Sequence, residues 1–89
     1  MEIEKIKASL KSFLLQEFLP DENPALVTYT TPLMTSGILD SIATVDLVSH
    51  LEESYGIKVE AHEVGVEHLN TIDVIADLVL SKTSRGSPD

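Results

Sequence analysis

Residues 37–48 read GILDSIATVDLV. Asp40 and Ser41 stand at the mouth of an apolar helical pattern, and Asp is among the residues that best cap a helix start. The spacing predicts a helix from about Ser41 to Tyr55, with Gly56 as its stop. At about 100° per residue, Val45, Val48, Leu51 and Tyr55 share one broad face bordered by Leu47, which is the expected core side. Ile42, Asp46, Ser49 and Glu53 form a second stripe pointing away. Three of these four suit a solvated face. Ile42 does not: it is a β-branched apolar residue at the exposed start of a helix, beside acids and a serine.

Upstream, Ile3, Ile6, Leu10, Phe13, Leu14 and Phe18 recur at helical spacing, and Pro20 ends that helix because it lacks the donor a further turn needs. Residues 20–39 hold no sustained period and include Pro20, Pro24, Pro32 and Gly37. A loop of this length in a small domain normally has its own anchors or a function. Leu33, Met34, Ile38 and Leu39 are the expected anchors; Val27 and Tyr29 suggest a short strand, for which the chain offers no partner. Downstream, AHEVGVEHL predicts one or two helical turns interrupted by Gly65, with Val64, Val66 or Leu69 reaching inward. A last helix is expected to start at Asn70 as its cap. Asp73 sits where a carboxylate complements the positive helix end, and Ile72, Ile75, Ala76 and Val79 make the inner stripe. The expectation is a small all-α four-helix bundle: three long helices, one short third helix and a long first loop. It occupies one domain over residues 1–80, and residues 81–89 form a disordered tail.

The net charge of −9 is unevenly spread. Over residues 2–19, Glu2, Glu4 and Glu17 balance Lys5, Lys7 and Lys11. Over residues 40–67, seven acids face Lys58 alone, a net of −6. Acidic surfaces repel phosphate backbones and anionic lipid, so nucleic acid and membrane are poor partners, and a basic protein face is the natural complement. With no cysteine there are no disulfides and no thiolate metal sites. The charged N-terminus lacks a signal-peptide core and no apolar run approaches a membrane span, which makes a cytoplasmic protein the expectation.

Catalysis finds little support. Ser41 lacks a Gly-x-Ser-x-Gly elbow, and His50 is about two and a half turns further along the same helix. HEVGVEH has Val66 where a zincin needs its second histidine, and His62 and His68 would point about 120° apart on a helix. All three histidines read as surface or boundary residues. Capping explains most Asp-Ser pairs before an apolar helix. It does not explain Ile42, the long loop that delivers the pair, or the acid run that follows.

LDSIATVDLVSHLEESYGIKV, residues 39–59, resembles the phosphopantetheine-attachment region of the acyl carrier protein family. The shared pattern is Asp-Ser-(Leu/Ile), Thr-Val, an acid, Leu-Val, and Leu-Glu-Glu before an aromatic, Gly-Ile and an apolar residue. The order of elements, down to a fourth helix beginning NTIDVIADLV, follows the family more loosely. The resemblance implies that Ser41 receives 4′-phosphopantetheine from coenzyme A, with Asp40 as the adjacent acid important to the transferase reaction. The arm's thiol would hold an acyl or aminoacyl group as a thioester. Ile42, Asp46 and Glu53 would match the partner-docking face on whose stripe Ser49 also stands, and Glu60, Glu63 and Glu67 would extend it. The implied partners are a phosphopantetheinyl transferase, an acyl- or aminoacyl-loading ligase and downstream acyl-transfer enzymes, visiting a monomer that is not itself an enzyme.

The chain departs from the fatty-acid carriers in two ways. Ala43 stands where they typically carry an acid, and Ser49 where they often carry an apolar residue. The ILDS leader looks more like D-alanyl and other aminoacyl carriers, and the cargo stays open between these and fatty-acid or polyketide carriers. Two rival functions remain: an acidic helical interaction module without a prosthetic group, and a hydrolase using Ser41.

Overall fold

The computed structural model describes residues 2–20, 23, 25 and 27–85. Pro24 of the loop and residues 86–89 of the expected tail lie outside them. The described residues form four α-helices and no strand: α1 (Ile3–Phe18), α2 (Ser41–Tyr55), α3 (Val66–Leu69) and α4 (Ile72–Arg85), with a 3₁₀ turn at Ala61–Glu63. This is the all-α bundle expected, with its short third helix and long first loop.

Each long helix forms for a local reason. The Leu19 amide closes the last turn of α1 on the Leu15 carbonyl, and Pro20 follows. α2 opens on Asp40, whose carboxylate accepts from the Ala43 amide at 2.8 Å, and stops at Gly56 in the left-handed conformation (φ 66°). The chain then folds back, and the Glu52 carboxylate accepts the Val59 amide at 2.9 Å, seating Val59 in the core.

The core joins Ile6, Leu10 and Leu14 of α1, Leu47 and Leu51 of α2, Leu69 of α3, and Ile72, Ile75 and Val79 of α4, all essentially without solvent exposure. α1 and α2 also meet where Phe13 stacks on His50 with centroids 3.8 Å apart, and within α1 Phe18 meets Phe13 edge-on. Burial pushes the His50 imidazole below its usual pKa, against the opposing pull of Glu17 and Glu53.

The rotation of α2 corrects one expectation. Val45 is 63% exposed, while Ala43, Thr44, Leu47 and Leu51 are buried. Val45 lies about 160° round the helix from Leu47, so it sits nearly opposite the true inward face. Thr44 is tolerated inside because its hydroxyl donates to the Asp40 carbonyl at 2.7 Å.

Asn70 corrects another. Thr71, not Asn70, supplies the side-chain acceptor at the start of α4, taking the Val74 amide at 3.2 Å. The Asn70 Oδ1 instead accepts the amides of Met34 (2.9 Å) and Thr35 (3.2 Å), and its carbonyl accepts the Leu33 amide. These bonds clamp the long loop onto the turn before α4. Leu33 and Leu39 are buried anchors as expected, with Met34 and Ile38 half-buried; Val27 is buried too, though not in a strand. The Tyr29 carbonyl accepts the Asp73 amide at 3.0 Å, and Lys7 of α1 pairs with the Asp73 carboxylate at 3.0 Å. That carboxylate raises the pKa of Lys7.

Of the three residues expected to reach inward from the third segment, Leu69 alone does so; Val64 and Val66 are exposed. α4 continues to Arg85, carrying regular structure into residues 81–85 of the segment read as a tail.

The clamp yields a prediction. Asn70→Ala leaves two loop amides without an acceptor and is expected to cost about 1–3 kcal/mol. Asn70→Asp keeps the acceptor and should stay close to wild type, with urea unfolding midpoints as the measurement.

Candidate functional site

Ser41 is the first residue of α2 and is exposed. Among the described residues its hydroxyl makes no hydrogen bond to the protein. The Leu39 amide closes the loop on the Leu33 carbonyl at 2.8 Å, and the Asn70 clamp holds Leu33 in turn. Loop and helix together present Asp40 and Ser41 on a fixed corner of the bundle.

A cleft of about 540 Å³ opens beside that corner. Met34, Thr35 and Leu39 of the loop line one side, Thr44 and Val45 of α2 the floor, and Val64 and Val66 the far wall. The exposure of Val45, Val64 and Val66 now has a place: all three are cleft lining. The sequence signal that could have found Val45 is its position one residue from Thr44 and nearly opposite Leu47.

On the other flank of Asp40 lies a more polar hollow of about 380 Å³, lined by Glu17, Phe18, Ile38, Ile42, Ala43 and Asp46. Ile42 is 76% exposed, and Asp46, Ser49 and Glu53 are exposed with it, as the second stripe predicted. Glu17, at the end of α1, joins this face although its sequence position gave no hint of it. It arrives there only because α1 and α2 pack together.

The acids of the next segment divide. Glu60 and Glu67 are exposed. The Glu63 carboxylate is turned inward, accepting the Glu60 amide at 2.8 Å and pairing with Lys82 of α4 at 2.9 Å. These two interactions, the backbone hydrogen bond first, hold its carboxyl below the usual carboxylate range. Glu52 is likewise committed to the Val59 amide. His62 is exposed, and His50 and His68 are half-buried. Among the described residues no group of three His, Asp or Glu side chains could hold a metal ion, and no helix is long and apolar enough to cross a membrane.

The geometry suits a covalently attached anionic group. An unbonded, exposed hydroxyl stands at the positive end of a 15-residue helix, next to an apolar cleft. Residues 13–79 match the family described as phosphopantetheine attachment site. The chain belongs to that family. Its covalent cofactor is 4′-phosphopantetheine, and the chain is a carrier of the phosphopantetheine-binding type. The D-alanyl carrier protein of Streptococcus uberis is 42% identical over 45 residues, 51% of this chain and 57% of that protein. The D-alanyl carrier protein of Streptococcus pyogenes is 42% identical over 43 residues, 48% of this chain and 54% of that one. The chain thus spans a little over half the length of the curated relatives it matches.

Asp40 acts on the local fold through its cap. Asp40→Ala is expected to lower stability by about 0.5–2 kcal/mol, whereas Asp40→Asn keeps the acceptor for the Ala43 amide and should unfold near the wild-type temperature.

Proposed function

We propose that Ser41 is the attachment serine and that the protein carries aminoacyl or acyl groups between partner enzymes. The observation that carries this reading is the free, exposed hydroxyl at the α2 start, held on a clamped corner beside the apolar cleft. When bound, the arm supplies a thiol that can hold the cargo as a thioester. The chain's own residues do the rest. Asp40 fixes the first turn of α2 by accepting the Ala43 amide, and it is the acid adjacent to Ser41 in the chain.

Ile42, Asp46, Ser49 and Glu53 supply the docking face, joined by Glu17 and flanked by Glu60 and Glu67. An acidic face with one central apolar residue favours fast encounter with basic partners more than tight binding, as a protein visited in turn by a transferase, a loading ligase and acyl-transfer enzymes requires. Work among such enzymes fits the cytoplasmic setting expected from the sequence.

The similarity to D-alanyl carriers, the ILDS leader and the absence of an acid at Ala43 favour an aminoacyl cargo over a fatty-acyl or polyketide one.

Incubation with coenzyme A, magnesium and a broad-specificity phosphopantetheinyl transferase tests the attachment. The intact mass should rise by one arm in the wild type and not in Ser41→Ala. No gain in the wild type, or a gain that persists in Ser41→Ala, overturns the reading. In the same assay Asp46→Lys combined with Glu53→Lys should slow modification by about tenfold at low salt, with the difference shrinking as salt rises. An interaction module without an arm would instead keep its partner binding in Ser41→Ala. A hydrolase would label with serine-directed phosphonates in the unmodified state.

A further inference from the structure

Val64 and Val66 form the far wall of the cleft, and no side chain of the segment 60–66 that carries them is buried. The nearest apolar anchors are Val59 on one side and Leu69 on the other. Within the segment, the Glu63 amide bonds to the Glu60 carbonyl, the Glu60 amide to the Glu63 carboxylate, and the Val64 amide to the Ala61 carbonyl. All of these are internal. The Gly65 carbonyl accepts the His68 and Leu69 amides of α3, and among the described residues the 2.9 Å ion pair between Glu63 and Lys82 is the one polar interaction that ties 60–66 to α4. Both side chains are only about one-sixth exposed, 15% for Glu63 and 17% for Lys82, so the pair is less screened than an ordinary surface bridge.

We propose that the Glu63–Lys82 pair is a latch that sets how close the Val64–Val66 wall stands to α2, making Lys82 a positioning residue for the group carried at Ser41. Val64 and Val66 are 42% and 50% exposed, and no residue from Glu60 to Val66 belongs to the buried core that would otherwise hold the wall. Fixing one end of the segment to α4 therefore decides the width of the cleft. Releasing Lys82 frees the wall without disturbing the core, because no core residue lies between Glu60 and Val66. The last part of the proposal, that a carried group feels the wall, rests on attachment at Ser41.

Amide hydrogen exchange on the protein before modification tests the latch itself. Lys82→Met should speed exchange across residues 60–66 by about fivefold or more while α1 and α2 keep wild-type protection. Lys82→Arg should restore it. Glu63→Gln keeps an acceptor for the Glu60 amide but loses the ion pair, and should behave as Lys82→Met does. Unchanged exchange at 60–66 in both pair-breaking variants overturns the latch, as does acceleration spread equally over the whole bundle.

The consequence at Ser41 is read on protein shown by mass to carry the arm. The chain has no cysteine, so a thiol-specific disulfide reagent reports the arm's thiol alone. Its reaction should be faster in Lys82→Met than in wild type or Lys82→Arg. Equal rates at equal loading overturn the positioning role. A failure to load at all would overturn attachment, and the exchange result would still decide the latch.

Discussion

The rotation of α2 about its own axis is the constraint on which the site depends. Leu47 and Leu51 are fully buried, and each fully buried leucine is worth about 1.5–3 kcal/mol relative to exposure. Turning the helix to bury Val45 would bring these leucines towards solvent. With the leucines inside, the remaining positions have no choice. Val45 faces the cleft, Ile42, Asp46, Ser49 and Glu53 face outward, and Ser41 stands free at the end. The same buried face that stabilises the bundle therefore decides what a partner meets.

A second constraint fixes where that helix begins. The long loop could wander, but Asn70 holds Leu33, Met34 and Thr35 by three hydrogen bonds, and Leu33 and Leu39 are buried around it. Asp40 then caps the first turn. A serine on an untethered loop would have to be ordered by anything that binds it, with an entropic cost each time. Here that ordering is done by folding.

The acid-rich segment shows that charge has two uses within one short stretch. Glu52 and Glu63 accept backbone amides and shape the chain, Glu63 also taking Lys82 as its partner. Asp46, Glu53, Glu60 and Glu67 remain outside. Summed charge overstates how many carboxylates of this stretch face outward. The distinction is invisible to a residue count because it depends on which backbone amides the fold leaves needing an acceptor.

The sequence by itself determined the helices at 3–18 and 41–55, the stop at Gly56, the inner stripe of the last helix and the Asp-Ser corner. All are governed by neighbours a turn or less away: apolar periodicity, proline, glycine and a capping side chain. The resemblance over residues 39–59 implied the arm that we propose for that corner. Only the tertiary structure decided the rotation of α2, the capture of the loop by Asn70, the arrival of Glu17 beside Ile42, and the inward turn of Glu63. Each of these is a contact between residues distant in the chain, and local spacing carries no information about which of several plausible faces another element will cover.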